Sequence, residues 1–410
     1  MLRTATVPKG YTEEFSEFLA PIKEGKRQNL YVFEPPFEGP QAGNTLHNGN
    51  KVIMLTSNNY LGLSTHPKII KAMKEALDVY GTGTCGARLH NGTTILHKRL
   101  EERIARYLRT EESVILSAGY MANLAAITAL ANNEKSVVIT DQLNHMSIVD
   151  GIEMAKGQVR IFEHNNMEKL EYILSRSGNF QKKLIVVDGV YSMDGDLAQL
   201  DKIVELSQKY DASVMVDEAH SLGFFGPSGR GVAEHFKVED KVHIKMATFS
   251  KSAASVGGCI ASDKDTCDYI KHVSHQYIFN ASLPPAIIAG VLKAFDLIEN
   301  ETWRREKLWS NTMRFRKGLM QLGYDIMDSL SPVIPIFIGD DLTTMKMTKK
   351  LMQEGVYIAT AVFPAVPRNK SRFRSTITAS LTEEEIDIAL DKLEKCGREY
   401  GVIGREYGVI

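Results

Sequence analysis

Cysteine is scarce in this chain, with four among 410 residues: Cys85, Cys259, Cys267 and Cys396. They form no CxxC pair and no zinc-finger spacing, so neither a disulfide framework nor a structural zinc site is expected. Such usage fits reduced thiols in a cytoplasmic protein. Long apolar runs are also lacking. No window approaches the roughly eighteen uninterrupted apolar residues that a transmembrane helix needs. The opening Met1-Leu2-Arg3-Thr4-Ala5-Thr6 has no secretory apolar stretch either. At most, peripheral membrane contact is left. Neither sign of charge is in excess: 49 basic and 50 acidic residues give a net −1. A general attraction for nucleic acid is therefore not expected.

What is present is a hydrophobic content of 43% with 24% charged residues, the balance of a globular enzyme. Its length suits a large domain plus a smaller one. Residues 1–50, with Pro35-Pro36, Pro40 and Gly43, read as an N-terminal arm. From 51 to 285 short apolar runs alternate with helical patterns. Val114–Ser117, Ser136–Thr140, Leu184–Asp188, Ser213–Asp217 and Ile244–Thr248 read as buried strands, and Met121–Leu130 and Leu200–Tyr210 as helices. This alternation predicts an α/β fold with a mainly parallel sheet covered on both faces. Residues 286–396 read as a small C-terminal α+β domain. It has helices at 286–300, 303–322, Thr343–Gln353 and Glu383–Lys395, and strands at Val333–Ile338 and Phe373–Thr378. The heptapeptide Gly397–Ile403 recurs as residues 404–410, and this duplicated tail, 397–410, is expected to be disordered.

Chemistry concentrates at two strand ends. The run Ala247-Thr248-Phe249-Ser250-Lys251 follows one apolar strand, and Asp217-Glu218-Ala219-His220 closes another. A lysine among small hydroxyls, an acid at a strand end and a histidine three residues on suit pyridoxal 5'-phosphate. The amine forms a Schiff base with the aldehyde. The Asp217 carboxylate keeps the pyridine nitrogen protonated, so that the ring can act as an electron sink. His220 can bond the phenolic oxygen or stack nearby. Gly119-Tyr120, between a strand and a helix, offers N–H groups to the phosphate, with Thr248 and Ser250 on its other side. His145 and Ser192 also follow strand ends; the histidine could stack on the pyridine ring, while the serine could equally be a turn hydroxyl. The Gly81–Thr93 stretch is neither GxGxxG after a strand nor a Walker loop, and reads as a flexible wall of an active site. Arg372 and Arg374 share one face of a strand, where a guanidinium could grip a carboxylate. One of the two, Arg372, is the candidate for a solvated strand edge. His272 and His275 stand three apart on an expected helix but lack a third ligand, so no metal is expected.

Further motifs accompany these: Ser57-Asn58-Asn59-Tyr60-Leu61-Gly62-Leu63, Asn91-Gly92-Thr93 with His97, Asn144-His145-Met146-Ser147-Ile148 and Asp194-Gly195-Asp196. With the Asp217 and Lys251 runs they make residues 50–395 resemble the α-oxoamine synthases, within the fold-type I pyridoxal phosphate enzymes. The resemblance implies a seven-stranded sheet and a homodimer with active sites at the subunit interface. It implies condensation of an amino acid with an acyl-CoA or acyl carrier protein, with loss of carbon dioxide. It implies Asn58 and Arg374 at the substrate carboxylate, and Asn280 or Ser282 reaching the neighbour's phosphate. Thr248–Gly258, His164-Asn165-Asn166-Met167 and Pro364-Ala365-Val366-Pro367 are similar to the serine palmitoyltransferase branch, which joins L-serine to palmitoyl-CoA. Sister branches are 2-amino-3-ketobutyrate CoA ligase, 8-amino-7-oxononanoate synthase and 5-aminolevulinate synthase. An aminotransferase or lyase, or an inactive partner subunit, would be the rivals; an intact Lys251 speaks against the last. Asn280, Ala87 and Leu381 depart from the family's usual residues, the last two on the substrate side.

Overall fold

The computed structural model describes residues 9–404. Near the start, β1 (Asn44–His47) and β2 (Asn50–Met54) form a hairpin. Its turn is Asn48-Gly49, both at positive φ (49° and 74°), the backbone that a two-residue hairpin turn needs.

Seven strands build the main sheet: β3 (Glu112–Leu116), β4 (Ser136–Asp141), β5 (Gln158–Phe162), β6 (Lys182–Asp188), β7 (Ser213–Asp217), β8 (Ile244–Thr248) and β9 (Gly258–Ser262). Their order is β3-β9-β8-β7-β6-β4-β5. β9 runs antiparallel to β3 and β8, and every other pairing is parallel. The nine residues between β8 and β9 are too few for a crossover, so this connection must turn back. Side chains of the inner strands alternate between two cores. Ile185, Val187, Val214 and Val216 enter one, and Leu184, Val186 and Met215 the other, which is why these strands read as unbroken apolar runs.

The second body holds β10 (Val333–Gly339), β11 (Val356–Tyr357), β12 (Ala359–Ala361) and β13 (Ser371–Thr376). β13 is central in the antiparallel order β10-β13-β12, and β11 pairs with β2. Helix Glu383–Glu399 packs into the core of this body. Thr382 and Glu385 make a capping box, three glutamates sit in the first turn, and Ile386, Ala389, Leu393 and Cys396 form one buried stripe.

Three boundary expectations need correction. Helix Pro285–Asn300 packs Ile288, Val291, Ala294 and Phe295 into the larger core, so the segment 286–300 does not belong to the small domain. Ile53 and Leu55 enter the smaller core, so the first residues after 50 do not belong wholly to the large domain. The first heptapeptide copy is packed and not disordered: Val402 N–H donates to Gly397 O and Ile403 is buried. Residues 405–410 of the second copy lie outside the described residues. Among those described, no helix is long and apolar enough to cross a membrane.

Candidate active site

The carboxyl ends of β6, β7 and β8, with the start of helix Gly119–Leu130, enclose a cavity of about 250 Å³. In an open α/β sheet this is the end where ligands bind. Lys251, Asp217, His220, His145, Gly119, Tyr120, Thr248 and Ser250 all line it, as does Asp188.

Asp217, the last residue of β7, accepts the Ala219 N–H at 2.9 Å and the Asn123 amide at 2.7 Å. Its neighbour across the ladder is Asp188. Burial, and then the Asp217 charge, push the Asp188 carboxyl well above the usual carboxylate range. Lys251 loses hydration by burial, which draws its amine down to about 8; Asp217 resists, and Arg374 adds to the fall.

His145 caps helix Met146–Met154. Its Nδ1 accepts the Ser147 N–H at 3.2 Å, which places the ring proton on Nε2. Burial lowers its basicity further. The Ser147 hydroxyl is 2.8 Å from the Asn123 amide, so His145, Ser147, Asn123 and Asp217 form one chain of contacts. The Tyr60 hydroxyl meets His220 Nδ1 at 2.7 Å. Burial raises the phenol and depresses the imidazole, so the phenol is the donor and Nε2 keeps the His220 proton.

The anion end is built by close approach. A Cβ on Gly119 would lie 2.8 Å from Thr248 Cβ and Oγ1, a space only glycine leaves open. The helix that starts there has unpartnered N–H groups in its first turn. The Thr248 and Ser250 hydroxyls sit 2.9 Å apart beside it. Amine, carboxylate and phosphate-sized cradle thus fit pyridoxal phosphate.

Arg374, on β13, is near enough to act on the Lys251 amine, but neither it nor Asn58 lines the cavity. Its Nε donates to Ser192 O at 2.6 Å and its Nη1 to Thr376 Oγ1 at 3.2 Å, while both Nη atoms make long contacts, 3.4 Å, to Asn58 Oδ1. Ser192 is thus met through its carbonyl and does not line the cavity. Arg372 is corrected: β13 is a central strand, and Arg372 is buried in an ion pair with Asp194.

Other expected residues lie elsewhere. Asn280 donates to Ser117 Oγ at 2.7 Å and Ser282 pairs with Thr84 at 2.7 Å; neither lines the Lys251 cavity of its own chain. Residues 81–93 do not line it either, being tied down by the buried pair Arg88–Glu101 (2.7 Å) and a bridge between Ala87 and Ala281. Leu381 is in the smaller core and not at the substrate side. His272 and His275 fall on separate helices, Lys264–Val273 and His275–Ile278.

Sequence reasoning missed Asn123, Ser147, Asp188 and the role of Tyr60. Asn123 had a signal: it is the single amide in the run Met121–Leu130, whose only other polar side chain is Thr128.

The family model described as aminotransferase class I and II matches residues 50–393. The chain is 39% identical to 8-amino-7-oxononanoate synthase 1 of Bacillus subtilis, over 95% of this chain and 99% of that one. It is 41% identical to the serine palmitoyltransferase of Bacteriovorax stolpii, over 88% and 86%. A solved structure of SPT with PLP superposes with a TM-score of 0.92 at 34% identity, covering 95% of this chain and 99% of that one. The fold-type I architecture, the cavity and these likenesses agree: the chain belongs to the α-oxoamine synthases, acyltransferases that depend on pyridoxal phosphate.

Proposed function

We propose that Lys251 carries the cofactor and that the site condenses L-serine with a long-chain acyl-CoA, palmitoyl-CoA being the best fit. The products are 3-ketodihydrosphingosine, CoA and carbon dioxide. The observation that carries the cofactor assignment is the Lys251 amine, brought to about 8, in one cavity with the strand-end carboxylate Asp217. When bound, pyridoxal phosphate supplies an electron sink for the amino acid's Cα.

The chain's own residues do the rest. Asp217, fixed by two donors, keeps a proton on the pyridine nitrogen. The first N–H groups of helix Gly119–Leu130, with Thr248 and Ser250, hold the phosphate. Lys251, largely neutral above pH 8, takes the Cα proton. Arg374 exchanges its long Asn58 contacts for the substrate carboxylate, a stronger bidentate partner. His145 presents a neutral ring to the cofactor. The protein acts as a homodimer, in which Asn280 and Ser282 serve the other subunit's phosphate.

Support for serine comes from the 248–258 and 364–367 runs and from the likeness to serine palmitoyltransferases. A second reading, L-alanine with pimeloyl-CoA, is supported by the equally extensive likeness to the Bacillus subtilis enzyme. Borohydride reduction followed by peptide mapping should find the cofactor on Lys251, and label on another lysine overturns the assignment. Thiol release should then be measured for serine with palmitoyl-CoA, alanine with pimeloyl-CoA and glycine with acetyl-CoA. Serine with palmitoyl-CoA should be at least about tenfold faster, or about 1.4 kcal/mol of differential transition-state binding. The reverse ratio replaces the substrate and leaves the family intact.

A further inference from the structure

We propose that His164, with Asn165, positions Arg374 by pegging the segment 190–197 to the main sheet. The inference rests on the reading of Arg374 as the carboxylate anchor.

The peg is built from a turn just after β5. His164 Nδ1 lies 3.0 Å from Asp141 Oδ1 at the end of β4, and Nε2 lies 2.8 Å from Asp196 Oδ2. Carboxylates only accept, so both ring nitrogens donate and the ring is an imidazolium. Burial works against that charge, but the two carboxylates outweigh it and raise the group to about 10. Tyr191 packs edge-on against the ring with centroids 4.4 Å apart. Asn165, at φ 53°, repeats the pattern. Its N–H donates to Asp141 Oδ2 at 2.9 Å, and its amide to Asp196 Oδ2 and Leu197 O, each at 3.0 Å.

The other side of the same segment holds the arginine strand. Ser192 O takes Arg374 Nε at 2.6 Å, and Asp194 pairs with Arg372. Gly195 O takes the Leu330 N–H at 3.0 Å. A Cβ on Gly195 would lie 2.0 Å from Val333 O, so the segment is pressed onto β10. Segment 190–197 is therefore a splint between the two cores, and His164 fixes its end on the large-domain side. A shift of a fraction of an ångström there moves Ser192 O and hence the guanidinium, and misplacements of that order weaken oriented binding. No part of His164 touches the cavity, so it is a positioning residue and not a catalytic one.

The test uses holoenzyme, with amino-acid affinity read from the cofactor's absorbance and turnover read separately. Arg374→Lys, the control for the anchor, should weaken serine binding. His164→Gln, which can satisfy only one carboxylate, and Asp196→Asn, which leaves the His164–Asp141 pair in place, should each raise the serine Kd by about tenfold or more while changing saturated kcat less than about threefold. Amide hydrogen exchange should quicken at 190–197 and not in β4 or β6. Adding His164→Gln to Arg374→Lys should cost nothing further. If Arg374→Lys weakens binding but both other variants bind serine like the parent, or lose kcat with Kd unchanged, the positioning role is overturned and the anchor reading stands. If Arg374→Lys itself binds normally, the anchor reading fails and takes this proposal with it. Should His164→Gln not fold, Asp196→Asn decides alone.

Discussion

The behaviour of Lys251 shows how much one side chain owes to its surroundings. A solvated lysine titrates near 10.4. Burial here lowers the amine to about 8, against the pull of Asp217 and Asp188. The free amine is the form that attacks an aldehyde. Capture of pyridoxal phosphate by cofactor-free protein should therefore speed up with pH and reach half its limiting rate near 8. Stopped-flow absorbance against pH measures this, and a midpoint near 10.4 would mean an amine in contact with bulk water. The sign for stability follows from the lowered value. Between about 8 and 10.4 the unfolded chain binds the extra proton, so the penalty from Lys251 is full below 8 and fades as pH rises through that window. Lys251 and Asp217 were legible from sequence because strand ends and hydroxyl neighbours mark them. Asp188 closes an equally legible strand, but its meaning depends on standing across the ladder from Asp217, a pairing no linear pattern reveals.

Among the elements, the helix starting at Gly119 is tightly constrained by its neighbours. Gly119 faces Thr248, and a Cβ on Gly258 would meet Gly119 Cα at 2.6 Å, so three backbone segments touch without room for a methyl group. Gly119→Ala must push the helix start off β8. Overpacking of this kind costs about 1–3 kcal/mol. If about 1.4 kcal/mol of that falls on the bound state, the cofactor's dissociation constant should rise about tenfold, read by equilibrium dialysis with absorbance. Gly178→Ala, where nothing lies within 4 Å, is the control and should bind normally. The inner strands β6, β7 and β8 were readable because burial on both faces makes them continuous apolar runs. β5 was not, since it is an edge strand whose Val159 and Ile161 are half exposed and whose Arg160 interrupts the run. β9 was hidden for another reason: Gly258, Cys259 and Ala261 are small, and their strand character comes from being sandwiched between β3 and β8.

At the scale of the molecule, a single chain leaves two proposed cofactor residues away from its own cavity. Asn280 and Ser282 lie with Arg88 and Ser117 in a separate depression, next to Phe279, which is 80% exposed. Leu143 and Met146, on either side of His145, are also exposed at 44% and 59%. Large apolar side chains left open in this way suit cover by another protein surface, and the proposed two-fold homodimer would supply it with the same patch from each copy. The arrangement predicts complementation. Lys251→Ala lacks the lysine, and an Asn280→Ala/Ser282→Ala chain lacks the phosphate contacts, so each homodimer should be impaired. After unfolding and refolding together in equal amounts, random pairing makes about half the dimers mixed. In a mixed dimer the site built on the intact Lys251 receives Asn280 and Ser282 from the other chain and is complete. Activity should then recover to about a quarter of that of the same amount of parent protein, one whole site for every four. If these residues serve the phosphate of their own chain instead, both sites in a mixed dimer stay defective, and the refolded mixture gains nothing over the two variants assayed apart.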